Sequence, residues 1–194
     1  MRRRVEGVRR RGRRGLTPDA LDSAGMALWH FSEDEGIERF VPHVAKTSER
    51  SEALVWAIDD WHAPMYFTPR DCPRACFWAG AQTTAEDRER WLAGLTPRFV
   101  MVVESGWLDR IRTVKLFRYR MPEPTFELTD ATAGHHVSSV AVEPLGVEPV
   151  GDLLSAIAAA GVELRATPRL GPLWSRITVT TLEFSGTRLR NALE

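Results

Sequence analysis

The segment that most restricts how this chain can fold is Arg98 to Glu104, a run whose interior, Phe99 to Val103, is wholly apolar. So apolar a strand is buried on both faces and needs cover above and below. Other short apolar runs alternate with polar, helix-like stretches from Met26 onward, the pattern of one mixed domain rather than a repeat array. Strands are expected at Ala27 to Ser32, Leu54 to Ile58, Arg74 to Ala79, Thr113 to Met121, Val137 to Val147 and Val162 to Ala166. Pro144 marks an edge or a bulge in the fifth of these. Helices are expected from Thr83 or Thr84 to Leu92, from Trp107 to Arg112 and from Asp152 to Ala160, the last stopped by Gly161. A short helix over His62 to Phe67 accommodates Pro64 in its first turn, and Phe40 to Ser51 reads as a loop. Leu173, Ile177, Thr181, Phe184 and Arg188 fall at helical spacing, which favours a C-terminal helix over a strand at Ile177 to Leu182. The expected fold is α+β: a single domain, residues 26–194, with a mixed, mainly antiparallel sheet and short flanking helices.

The chain has 194 residues, 43% of them apolar, with 26 basic and 26 acidic side chains. That balance suits a globular domain and excludes an intrinsically disordered chain. It also hides an asymmetry, because residues 1–25 carry eight arginines against three acids and the remaining 169 residues carry a net charge of −5. An Arg/Gly-rich arm with few apolar residues cannot offset the entropy of ordering, so residues 1–25 are expected to be a disordered extension. Either the arm binds nucleic acid or it is an over-extended start, Met26 being the natural beginning; the 24 arginines against two lysines fit the latter. No apolar run approaches the roughly 18 residues of a membrane helix. Two cysteines, Cys72 and Cys76, are too few for a disulfide framework and point to a cytoplasmic protein. As metal ligands they lack partners beyond His62, and no metal is expected.

Three constellations carry candidate chemistry. His30 and Ser32 lie two apart on the first strand, so imidazole and hydroxyl project together and suit a ribose or phosphate; alternatively Ser32 caps the turn that follows. The stretch from Trp56 to Arg74 brings Trp56, Trp61, His62, Tyr66, Arg70 and Arg74 together. Aromatic rings stack on planar bases and guanidinium groups grip phosphate, whereas the competing reading makes the rings core residues and pairs Arg70 with Asp71 or Asp59. At Gly134-His135-His136 adjacent histidines face opposite ways on a strand, so at most one joins a site. Glu104 and Glu143 are the carboxylates best placed for catalysis, or they only cap and pair.

The string His30-Phe31-Ser32-Glu33, then Val55 to Asp59 with His62-Ala63-Pro64 and Tyr66, then Pro69 to Arg74, resembles a family of bacterial proteins of unknown function. The likeness continues through Thr181 to Ser185 and Arg188 to Asn191. Members begin close to the His-Phe-Ser strand, which sets residues 1–25 apart. More distantly the order of features is similar to an ADP-ribosyltransferase-type domain. That resemblance implies a bound NAD or other nucleotide, with His30 on the ribose and Tyr66 stacked on the nicotinamide. Where such transferases place a late-strand Glu this chain has His136, which leaves nucleotide binding or RNA-phosphate chemistry of a His/Arg type open. The expected catalytic residues are His30 and His136, and the expected ligand contacts Ser32, Trp56, His62, Tyr66, Arg70 and Arg74. The partner expected is a small-molecule nucleotide, with nucleic acid reached only through the arginine arm. The competing classes are a non-catalytic interaction protein and a metal-dependent hydrolase using His62, Cys72 and Cys76.

Overall fold

The computed structural model describes residues 27–44 and 52–193. The arginine arm and most of the loop expected from Phe40 to Ser51 lie outside them. Among the described residues ten strands form two sheets. β1 (Leu28–Ser32), β2 (Val55–Asp59), β5 (Phe117–Met121), β6 (Glu127–Asp130), β7 (His135–Ser138) and β8 (Gly146–Pro149) make a six-stranded antiparallel sheet in the order β6-β7-β2-β1-β5-β8. β3 (Arg74–Trp78), β4 (Val100–Glu104), β9 (Glu163–Thr167) and β10 (Glu183–Thr187) make a second in the order β10-β3-β4-β9, where only β4 and β9 run parallel. Four short helices flank them: α1 (Ala85–Leu92), α2 (Leu108–Thr113), α3 (Leu153–Ala159) and α4 (Gly171–Ile177). This is a single α+β domain with mainly antiparallel sheets.

The all-apolar run behaves as its composition requires. Every residue of β4 is buried, with Met101 and Val103 packed in one core and Val100 and Val102 in another. The first core collects Ile111 of α2 and Leu153 and Ile157 of α3; the second collects Trp91 and Leu92 of α1 and Ile177 of α4. A third core, with Leu28, Tyr119 and Met121, lies under Phe40 on the six-stranded sheet. The caps are also where the sequence puts them: Thr84 Oγ1 accepts from Asp87 N at 3.2 Å, Asp152 Oδ1 accepts from Ser155 N at 2.8 Å, and Gly161 leaves α3 at φ +72°.

Two expectations are corrected. The segment Val137 to Val147 is not one strand, because the Ser138 hydroxyl bonds the Val140 backbone and turns the chain. β7 therefore ends at Ser138 beside β2, and the residues after Pro144 become β8 on the opposite edge, against β5. The C-terminal stretch is neither the long helix nor the strand at Ile177 to Leu182. α4 ends at Ile177, and Thr180 Oγ1 donates to the freed Ile177 carbonyl at 2.7 Å. Thr181 is then clasped by the Asp87 carboxylate at the start of α1, through its amide (2.7 Å) and hydroxyl (2.6 Å). That clasp delivers Glu183 to Thr187 into register with β3.

Candidate functional site

The two central strands of the larger sheet pair at only two positions, Leu28 with Asp59 and Trp29 with Ile58, and then part. Beyond the parting lies a cavity of about 850 Å³. Both faces of β1 reach it, through Trp29 and Phe31 on one side and His30 and Ser32 on the other, as alternation along a strand dictates. Its other walls come from β2, the loop after β1, the segment between Tyr66 and Arg74, Leu116, His135 of β7 and the end of β10 with the residues after it.

His30 bridges the parted strands. Its Nδ1–H donates to the Trp56 carbonyl, an acceptor freed when the ladder stops, at 2.8 Å, and its ring packs on Phe40 at 4.5 Å. Burial pushes the imidazole from 6.5 down to about 4; the Trp56 bond opposes that shift, and the nearby Arg70 and His43 reinforce it. At neutral pH His30 is uncharged with its proton on Nδ1, so Nε2 is left as an acceptor suited to a hydroxyl.

The aromatic part of the lining is built on Tyr66. Its hydroxyl shares a 2.9 Å hydrogen bond with His135 Nε2, and Phe31 stacks on its ring at 5.9 Å. Burial raises the Tyr66 phenol and lowers His135, so both are neutral. Trp56 stands edge-on to His135 at 5.7 Å. Arg74, only 2% exposed, lies 4.7 Å over the Tyr66 ring and donates to the carbonyls of Met65 and Cys72. Thr68, also lining the cavity, is buried with an unpartnered hydroxyl.

The same lining is cationic. Arg39, Arg70, Arg188 and Arg190 join Arg74 in the lining, with His30, His43 and His135, and no aspartate or glutamate lines the cavity among the described residues. Arg188 is held below the usual guanidinium range by burial first, then by repulsion from Arg70, Arg190 and Arg74, with Asp71 partly offsetting it. Its backbone is left-handed, φ +56°, an unusual conformation for a residue with a Cβ. The rim is held in part by Arg188 Nε, which donates to the Arg70 carbonyl (3.2 Å), and by Asn191 Nδ2, which donates to the Asp71 carbonyl (2.8 Å). The Arg70 amide is in turn fixed by Glu33 at 2.9 Å, and Glu33 also pairs with Arg110.

Of the residues expected at a site, His30, Ser32, Trp56, Tyr66, Arg70 and Arg74 line one cavity. Ser32 also caps its turn, accepting from Asp34 N at 3.1 Å. His62 and His136 do not line it. His136 is 4% exposed and sits 3.3 Å from the Gly134 carbonyl, while its neighbour His135 takes the cavity side. His62 is bound through Nδ1 to both Asp59 oxygens (2.8 and 2.9 Å) and faces a separate recess. Glu104 is buried and spends one oxygen on the amides of Leu170 and Leu193, both at 3.0 Å, and Glu143 is exposed in a loop. Cys72 and Cys76 are free and buried, with thiols pushed up to about 12 by burial, and so are unreactive. Sequence reasoning missed Arg188 and Arg190 because it placed them on a helix. In a segment with one helical turn at Leu189–Asn191 they instead close the cavity after β10.

The buried neutral His30 makes stability pH-dependent with a definite sign. Its folded pKa lies below the unfolded one, so its contribution is complete above pH 6.5 and is lost as pH falls towards 4, where the unfolded chain takes up a proton the folded chain refuses. His135 acts in the same direction. The His30 share is up to about 3 kcal/mol. Urea unfolding near pH 7 and again near pH 4.5 is expected to show that loss in the native chain. A smaller loss is expected in His30→Asn, which cannot titrate.

Comparison with protein families gives one match, a family of unknown function (DUF6886) over residues 29–192, and the chain belongs to that family. No curated protein and no solved structure matches it.

Proposed function

We propose that this member of the DUF6886 family binds a nucleotide, NAD or a related ribose-phosphate compound, in the cavity between the parted strands β1 and β2. The observation that carries the reading is the lining itself: among the described residues it holds five arginines and no carboxylate, together with the rings of Trp56, Tyr66, Phe31 and His135. Guanidinium groups give bidentate hydrogen bonds to a phosphate or diphosphate. The rings suit a planar base or nicotinamide. His30 Nε2 and the Thr68 hydroxyl supply hydrogen-bonding groups for a ribose. The volume falls within the range of small-molecule sites.

The reaction this arrangement suits is transfer or hydrolysis at the ribose C1′ or at a 2′-phosphate. There the arginines hold the phosphate charge and His30 orients the sugar. A second reading, binding without chemistry, is favoured by one feature: none of the described lining residues is a carboxylate able to polarise a ribose.

Thermal unfolding of the full chain with NAD, ADP-ribose, ATP and a 2′-phosphorylated nucleotide tests the reading, since a ligand of the native state raises the melting temperature by mass action. A saturable rise with at least one of the four is expected, and Arg70→Ala should weaken that ligand at least tenfold without lowering the melting temperature of the free protein. Silence from all four at millimolar concentration would overturn nucleotide binding. If one binds, product analysis after prolonged incubation separates the two readings.

A further inference from the structure

At the opposite end of the β3–β10 pair lies a second recess of about 410 Å³, chemically the inverse of the first. Thr187 and Arg74 are paired at the cationic cavity; four residues along, Glu183 and Trp78 are paired at this recess, about 13 Å away at the rise of a strand. Trp61, His62 and Trp78 form its walls. Their rings are mutually inclined: 63° between the two indoles at 5.3 Å, 70° between Trp61 and His62 at 4.5 Å, and 68° between His62 and Trp78 at 5.9 Å. The three rings meet edge to face, inclined to one another and not stacked, and they border an open recess.

Among the described residues no lysine or arginine lines the recess, and Glu183 does. Among the described residues the Glu183 carboxylate has no salt-bridge partner. Room for that side chain depends on Gly80, where a Cβ would collide with Glu183 Cγ. His62 is paired through Nδ1 with both oxygens of Asp59. Trp61 is 39% exposed, a large apolar surface to leave in water. Arg98, which does not line the recess, already lies 5.5 Å from the Trp61 ring, the chain's own cation on this indole.

We propose that this recess is a binding site for a methylated ammonium group, held by the faces of Trp61 and Trp78 and by the Glu183 carboxylate. Aromatic walls attract a cation through the ring quadrupole, and methylation lowers the cost of taking the cation out of water. The same chemistry is offered by a free quaternary amine and by a trimethylated lysine side chain. An uncharged ligand of the same shape would have the rings but nothing for the carboxylate.

Indole N–H signals of the seven tryptophans report on the site by NMR, with Trp61 and Trp78 assigned from Trp61→Phe and Trp78→Phe. The full chain would be titrated with choline, with N-acetyl-trimethyllysine amide and with 3,3-dimethylbutan-1-ol, the neutral shape-mimic of choline. Saturable shifts confined to Trp61 and Trp78 are expected with at least one of the two cations, at least tenfold tighter than with the alcohol. Whether choline or the lysine derivative binds more tightly identifies the source. Glu183→Gln, which leaves the packing in place, should weaken the cation at least threefold. Equal response to the alcohol, no response to either cation, or unchanged affinity in Glu183→Gln would each overturn the proposal. Because no nucleotide is used, the outcome is independent of the reading of the larger cavity.

Discussion

Replacing Gly134 by alanine is expected to destabilise the protein by about 3 to 4 kcal/mol, one of the largest effects of any single methyl group in the molecule. Two causes add. Gly134 has φ +67°, a conformation that costs a residue with a Cβ about 1 kcal/mol. A Cβ there would also collide with His62 Nδ1 and lie 2.5 Å from Asp59 Oδ2, the two atoms joined in the Asp59–His62 pair. Neither can simply move aside, since Asp59 Oδ1 also accepts the His62 amide at 2.8 Å and the Gly134 carbonyl accepts the Asp59 amide at 3.0 Å. Urea unfolding measures the loss. The His62→Ala/Gly134→Ala double variant should recover about 1 to 2 kcal/mol relative to the sum of the single changes, because the imidazole in the way is gone. Strict additivity would mean that the backbone angle alone is responsible.

Arg74→Ala is expected to cost about 3 to 5 kcal/mol and to abolish the cavity's ligand binding with it. The guanidinium is buried, and its loss leaves the carbonyls of Met65 and Cys72 without donors and the Tyr66 ring without its cover. Part of the loss is returned, because the repulsion that Arg188 feels from Arg74 disappears. Lysine is a poor substitute, since a single ammonium cannot present the planar fork that reaches two carbonyls while lying on a ring. Arg74→Lys should therefore remain at least 1 to 2 kcal/mol below the native chain by the same measurement. Arg70→Ala supplies the contrast. Arg70 is exposed and close in sequence, and only its backbone amide bonds Glu33, so its removal should leave the melting temperature of the free protein unchanged.

The two carboxylates that the sequence offers for catalysis do not line the cavity. Glu104 and Glu143 looked like candidate catalysts in sequence because carboxylates at strand ends often are. Glu104 instead anchors Leu170 and Leu193, tying the C-terminal segment to the central strand. Its replacement by alanine should register as lost stability, with the buried Leu170 amide left unpaired and the Leu193 amide released.

What the sequence determined by itself is what local chemistry governs. Alternation and β-branching marked β1 to β5 and β9 within a few residues, and the apolar run marked β4 as the doubly covered strand. Caps at Thr84 and Asp152 and the stop at Gly161 set the helices. Six of the residues expected at a site are close in sequence or lie on paired strands, and they do converge on one cavity. β6 was not legible, since an exposed edge strand without a buried face carries no periodic signal. The tertiary structure alone decided which neighbour each strand takes and which face of a strand meets the cavity. His135 lies inward and His136 away because the register Ile58–His135 and Ala57–His136 with β2 sets them on opposite faces, a choice that depends on pairing across some 80 residues. Arg188 and Arg190 reach the cavity only because Asp87 clasps Thr181 and swings the last strand onto β3. Spacing along a chain reports the conformation of a segment; the partner that completes it is supplied by long-range hydrogen bonds, and those exist only once the chain is folded.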